Sequence, residues 1–192
     1  ERDAKDFATA VGTFDQALAL DPDNAEIQAE RDAAARKAKA LELKQKGEAE
    51  MEASDYASAV GTLLAALEQD PDNNEIAAEE AEAAKKAKAA ELKAQGKALM
   101  AAGDYANAAG TFGVAKGLDP TDAELVALET ECDAKAKALE LKVQAEHECD
   151  AKDFAEAVHT FDVALELWSD NAEIQAERDA AARKLEAQAL MK

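Results

Sequence analysis

Side chains able to perform catalysis or bind a metal are few in this chain of 192 residues. The only histidines are His147 and His159, and the only cysteines are Cys132 and Cys149. His147 lies two residues from Cys149, a spacing that places the two side chains on different faces of a helix. We therefore predict no catalytic residue, no zinc site and no cofactor among them.

A calcium site is the other metal centre that the sequence suggests. Asp70, Asp72 and Asn74 alternate in the way that opens a calcium-binding helix-loop-helix. That loop needs Gly at its sixth position and Glu at its twelfth, but Glu75 and Ala81 stand there. A helix-capping box explains the same residues, so no metal site is predicted.

The charge of the chain restricts its partners. Its 42 acidic and 22 basic residues give a net charge of −20, which argues against nucleic acid. No apolar run is long enough to span a membrane, and the first residues do not resemble a signal peptide. Two cysteines make no disulfide framework, so the compartment stays open: cytoplasmic, or exported after processing. The partner we expect is a protein.

Large apolar residues are scarce, and their placement decides between order and disorder. Leu, Ile, Val and Phe together number 33, a level that is typical of disordered chains when the net charge is high. They recur, however, every 49 residues. The clearest example is an aromatic residue that directly follows an aspartate. Its four occurrences are Phe7, Tyr56, Tyr105 and Phe154.

This spacing predicts a single repeat array over residues 1–192. Its parts are a partial repeat 1–37, the repeats 38–86, 87–135 and 136–184, and a tail 185–192. Segments 25–37 and 172–184 are identical, which indicates recent duplication or deliberate construction. Because the chain begins and ends inside a repeat, we expect it to come from a longer array.

Each repeat is predicted to contain one short and one long helix. The short helix of the second repeat runs from Tyr56 to Gln69, with Asp55 as N-cap and Pro71 as its stop. The long helix spans about 28–30 residues, either straight or kinked at the glycine of its second half (Gly47, Gly96). It begins with an Asp or Thr as N-cap, which a Glu follows three residues later. The predicted N-caps are Asp23, Asp72, Thr121 and Asp170.

These motifs resemble the tetratricopeptide repeat (TPR) family. Ala10, Phe14 and Pro22 match its second helix, and Leu43-Lys44 with Gly47 is similar to its first helix in cochaperone-type members. The likeness covers 34 residues of each repeat. The remaining 15, roughly 27–41, lengthen the first helix by about four turns. The resemblance implies an all-α solenoid of alternating short and long antiparallel helices, without catalysis.

The resemblance also implies a peptide-binding groove, in which Lys and Asn side chains clamp a carboxylate. Its lysine is present as Lys44, Lys93 and Lys142, but the asparagine after the glycine is replaced, as at Glu48. Glutamates would repel a dicarboxylate, and we do not transfer the clamp.

Two repeated features suggest an interface. A glycine interrupts three short helices, as Gly12, Gly61 and Gly110, at a cost of about 1 kcal/mol each relative to Ala. Either a neighbouring backbone approaches closely there, or the residue is merely inherited. The basic middle of each long helix suggests contacts with acidic ends of neighbouring helices, either within the stack or between chains, and salt-sensitive association. Trp168 replaces an aspartate of the other repeats and is interpreted as local packing or an end-specific contact.

The leading hypothesis from the sequence is a structural or scaffolding protein that stacks into an extended assembly or fibril, as a homo-oligomer or a longer array. A peptide- or protein-binding adaptor is the alternative. An engineered repeat protein is a third, although its scattered substitutions are less regular than a design would have.

Overall fold

The computed structural model describes residues 2–191, with the side chains of residues 6–191, and over this range α-helix is the only regular secondary structure. Short and long helices alternate, as predicted. The elements are α1 (Arg2–Leu20), α2 (Ala25–Glu52), α3 (Tyr56–Gln69), α4 (Asn74–Ala101), α5 (Tyr105–Leu118), α6 (Ala123–Asp150), α7 (Phe154–Leu167) and α8 (Ala172–Leu190).

The short helices α3, α5 and α7 each span 14 residues, and the predicted aspartate is their N-cap. The carboxylate of Asp55, for example, accepts a hydrogen bond from the backbone N–H of Ser58 at 3.2 Å. Helix α1 differs, because it already begins at Arg2 and runs through Asp6. Asp6 therefore caps nothing, and the first short helix is longer than its counterparts.

The long helices α2, α4 and α6 span 28 residues each. Helices α2 and α4 continue through Gly47 and Gly96 as single helices, so these glycines do not interrupt them. The predicted N-caps are wrong by one residue. The side chains that accept from the first-turn N–H groups belong to the residue after the predicted one: Asn24, Asn73, Asp122 and Asn171.

The turn from a long to a short helix has the same form in three repeats. Its middle residue has a positive φ, 61° at Ser54, 81° at Gly103 and 63° at Lys152. In the first of these turns, the backbone N–H of Asp55 donates a hydrogen bond to the carbonyl of Glu50. This bond encloses six residues, as in a Schellman motif. Three residues thus reverse the chain.

The chain divides into two compact bodies, Glu1–Ala89 and Ala90–Lys192, with the boundary inside α4. In the first body α2 packs on α1 and α3, and in the second α6 packs on α5 and α7, which also contacts α8. The predicted array of 49-residue repeats thus lies across two bodies; its residues 1 and 192 lie outside the described range. The all-α fold class is confirmed.

Each core is built mostly from alanine around one large side chain of the short helix. In the first body Leu63 is fully buried among Ala40, Ala59 and Ala66. In the second body Phe112 and Phe161 have the same place in their repeats. Because alanine side chains are small, the helices approach closely, and the few large residues complete the packing.

Candidate protein interface

The three lysines that match the carboxylate clamp are already paired within the protein. Lys44 Nζ lies 2.7 Å from Glu79 Oε1 and 3.5 Å from Glu75 Oε1, and it contacts Glu48 on its own helix. Its side chain is only 11% exposed. An ammonium group that is buried among three carboxylates is not available for the carboxylate of a peptide.

Lys142 has the same surroundings one body further along the sequence. Its Nζ lies 3.0 Å from Glu177, 3.3 Å from Glu173 and 2.5 Å from Glu146. Lys93 contacts Glu124 and lies 2.8 Å from Asp122. The basic middle of one long helix therefore meets the acidic start of the next, and this part of the charge hypothesis is confirmed.

The electrostatics of these clusters explain how they hold charge. Burial disfavours the ammonium of Lys44, but its hydrogen bonds with Glu48 and Glu79 outweigh burial, and the pKa of Lys44 is raised. Burial is the largest effect on Glu79 and raises the pKa of that carboxyl, although Lys44 acts against it. The second carboxylate oxygen, Glu79 Oε2, is buried without a hydrogen-bond partner. The cluster joins two helices with one carboxylate incompletely satisfied.

The glycines of the short helices do not make the predicted close approach to a neighbouring repeat. Gly12, Gly61 and Gly110 are exposed, and a Cβ atom added at any of them would meet nothing within 4 Å in the structure. That part of the hypothesis is wrong, because these residues lie on the solvent face of their helices. Contact with a second chain at this position stays a prediction.

Close approach occurs instead at the glycine of the long helices. A Cβ on Gly47 would lie 2.7 Å from Leu63 Cγ, and one on Gly96 would lie 2.5 Å from Phe112 Cε1. Both distances are too short for carbon atoms, so these two glycines make room for the large core residue of the following short helix. The signal was present in the sequence, because this glycine belongs to the motif that carries the family resemblance.

A repeated cation–π contact was missed at the level of sequence. In every repeat the aromatic residue that starts or lies in the short helix is covered by a lysine, with Nζ 5.4–5.8 Å from the ring centroid. The pairs are Phe7 with Lys37, Tyr56 with Lys86, Tyr105 with Lys135 and Phe154 with Lys184. The 49-residue spacing of these lysines could have revealed the contact.

Trp168 lies at the C-terminal end of α7. It makes a local packing contact there, which is one of the two interpretations given from the sequence. Its ring meets that of Tyr105 edge to face, with centroids 5.2 Å apart. The Nζ of Lys135 lies 5.2 Å from the Trp168 ring and 5.4 Å from that of Tyr105. One lysine thus joins the aromatic residues of two successive short helices in the second body.

The cysteines and histidines do not form a site. Cys132 is buried, and burial raises the pKa of both thiols, which keeps them protonated near neutral pH. His147 and His159 are exposed. Among residues 6–191 no group of His, Cys, Asp and Glu side chains has a metal-binding arrangement.

No protein-family model and no curated protein matches the chain. Within the described residues, no helix combines the length and apolar content needed to cross a membrane.

Proposed function

We propose that the chain is a non-catalytic structural repeat protein whose helical units stack and continue between chains into an extended assembly. The observation that carries the proposal is the recurrence of one contact. Lys44 joins α2 to the start of α4, and Lys142 joins α6 to the start of α8, with the same residue types. A contact that repeats along a chain can be extended by further units without new chemistry.

We include the relationship to tetratricopeptide repeats in this proposal. One observation supports it. The residues that carry the resemblance, such as Gly96 and Phe112, lie where the long and short helices meet. The lysines of the peptide clamp, in contrast, are used to join helices. The family architecture would then serve stacking in place of carboxylate recognition.

Light scattering of the pure protein over a wide concentration range, with negative-stain microscopy, tests the proposal. We expect the particle mass to rise with concentration and elongated particles to form. We also expect the mass to differ between about 0.02 M and about 0.5 M salt, because charged contacts are screened. Monomers at all concentrations, or a mass that salt does not change, would contradict self-stacking through charged contacts.

A further inference from the structure

Three helices of the second body meet at one ammonium group, that of Lys135 on α6. Lys135 Nζ lies over the Tyr105 ring at the start of α5, 5.4 Å from its centroid, and over the Trp168 ring at the end of α7, at 5.2 Å. Glu131, one turn earlier on α6, accepts a hydrogen bond from the same Nζ at 2.6 Å. We call the side chains of Tyr105, Trp168 and Glu131 the cation site.

The two rings of the cation site form a corner around the ammonium group. Their centroids are 5.2 Å apart, and the angle between their planes is 80°. The face of an aromatic ring carries negative partial charge, so a cation within about 6 Å of both centroids is attracted by both rings. Aromatic side chains grouped around one cation are also the means by which proteins recognise ammonium ligands. The rings therefore favour a positively charged group over a neutral group of the same size.

The carboxylate of the cation site adds a preference for a group that donates hydrogen bonds. The hydrogen bond to Glu131 is the main reason why the pKa of Lys135 is raised, although burial acts against it. The nearby carboxylate of Asp170 favours the charged form of Lys135 as well. A primary ammonium group satisfies the rings and the carboxylate together, whereas an alcohol provides the hydrogen bond without the charge.

The second ring of the cation site comes from a substitution in the repeat. Trp168 has the position that Asp21, Asp70 and Asp119 have in the preceding repeats. An aspartate attracts a cation through its charge, and an indole ring attracts one through the face of its π system. The replacement thus keeps the attraction for a cation and adds apolar surface for the carbon atoms that an alkylammonium group carries.

We propose that the cation site is a binding site for primary alkylammonium groups, which the chain fills with its own Lys135. The Lys135 side chain is 21% exposed and both rings are partly exposed, so the site is accessible from solvent. A free alkylammonium ion can enter when the lysine side chain is absent and is excluded while it is present. The inference goes beyond the proposed stacking, because all the residues of the site lie in one body of one chain.

Chemical rescue of the variant Lys135→Ala tests the proposal. The ion n-propylammonium supplies the atoms that this substitution removes, and propan-1-ol is its neutral counterpart. Trp168 is the only tryptophan, so its indole N–H resonance reports binding at the site by heteronuclear NMR. Each compound is added up to about 0.2 M, with the ionic strength kept constant by sodium chloride.

We expect n-propylammonium to shift the indole resonance of Lys135→Ala in a saturable way and to raise its melting temperature. Ligand that binds the folded state stabilises it by mass action. Propan-1-ol should bind at least about fivefold more weakly, because the attraction of two rings for a cation is lost. The parent chain should show neither effect, since Lys135 occupies the site.

Three further variants serve as matched controls. Lys135→Met fills the site with an uncharged side chain and should not respond to n-propylammonium. Lys86→Ala removes the lysine above Tyr56 and leaves the cation site occupied, so its indole resonance should not respond either. The double variant Lys135→Ala with Glu131→Gln keeps both rings but loses the carboxylate, and it should bind the ion about two- to fivefold more weakly than Lys135→Ala.

The proposal is overturned if n-propylammonium neither shifts the indole resonance of Lys135→Ala nor stabilises that variant. It is also overturned if propan-1-ol binds as strongly, or if the parent chain and Lys135→Met respond in the same way. Where Lys135→Ala is unfolded on its own, circular dichroism replaces the NMR measurement, and the ion should restore helicity that the alcohol does not restore. Restoration by both compounds, or by neither, would equally refute the site.

Discussion

At the scale of single residues, the two sets of glycines have opposite surroundings although both interrupt helices. Gly61 and Gly110 face solvent, whereas Gly47 and Gly96 contact the core residue of the next helix. The sequence could not separate them, because either set could lie at a close helix contact. Tertiary packing decides which stripe of a helix faces a neighbouring helix. It therefore also decides whether a methyl group added at a glycine has space.

Alanine substitutions distinguish the two environments. Gly61→Ala should raise the free energy of unfolding by about 0.5–1 kcal/mol, because alanine is the better helix former and nothing obstructs its side chain. Gly96→Ala should lower it, since an overpacking cost of about 1–3 kcal/mol against Phe112 exceeds that gain. Urea unfolding of both variants measures the difference. Equal stabilisation by both would contradict the close contact at Gly96.

The acidic residues that begin the long helices allow a test of pH dependence. Hydrogen bonds from Lys93 and Lys97 lower the pKa of Glu124 to about 2. A carboxyl whose pKa is lowered on folding stabilises the protein above its ordinary pKa, and this contribution is lost as the pH falls toward 2. Glu124→Gln should therefore be less stable than the parent chain at neutral pH, and the difference should shrink on acidification.

Glu26 provides the control for this experiment, because it has the same place in its repeat but no cation contacts it within the described residues. At about pH 7 the change Glu26→Gln should alter the free energy of unfolding less than Glu124→Gln does, because it removes no ion pair among the described residues. Thermal unfolding monitored by circular dichroism at several pH values gives both profiles. If both profiles had the same pH dependence, the pairing of Glu124 with Lys93 would not contribute to stability.

At the scale of helices, most of the organisation was predictable because the same signals recur four times. Asp55 and Pro71 predicted where the short helix begins and ends. The long helix was predicted because a single glycine is the only residue that could interrupt it. Both predictions agree with the structure to within a few residues. The N-caps were misplaced by one residue, since Asp72 and Asn73 are both good capping residues and adjacent. Only the backbone path into the helix decides which side chain reaches the free N–H groups.

Substitution of the two adjacent residues checks this assignment. Asn73→Ala should cost about 0.5–2 kcal/mol of unfolding free energy, because Asn73 Oδ1 accepts from the N–H groups of Glu75 and Ile76. Asp72→Ala should have little effect, since Asp72 is exposed and does not cap the helix. Chemical denaturation measures both. A larger loss of unfolding free energy for Asp72→Ala than for Asn73→Ala would indicate that Asp72, the residue predicted from sequence, is the N-cap.

The turns between long and short helices contain strain that glycine removes. Lys152 has a φ of 63°, a conformation that side chains with a Cβ disfavour, and Gly103 has the equivalent position in the preceding repeat. Lys152→Gly should therefore stabilise the chain by about 0.5–1 kcal/mol, despite the greater freedom of glycine in the unfolded state. The reverse change, Gly103→Lys, should destabilise it. Thermal denaturation compares the two, and effects of the same sign would refute the interpretation.

At the scale of the whole molecule, stability depends on how strongly each repeat is joined to the next. Lys142→Met leaves Glu146, Glu173 and Glu177 without their shared cation, which should cost about 1–3 kcal/mol. Lys137→Met removes only an exposed pair with Glu140 and should cost at most about 1 kcal/mol. Hydrogen exchange should also show faster opening of α8 in the first variant. Unchanged exchange there would mean that Lys142 does not couple the helices.

The contact between Trp168 and Tyr105 has a practical consequence for measuring such coupling. Trp168 is the only tryptophan, and it lies within the second body, whereas Tyr56 lies in the first. Light absorbed by Tyr105 can pass to the indole ring over 5.2 Å, so sensitised tryptophan emission reports on the contact between Tyr105 and Trp168. Circular dichroism reports on the helices of both bodies. Comparing the two signals during unfolding would show, without any added label, whether both bodies melt in one cooperative step.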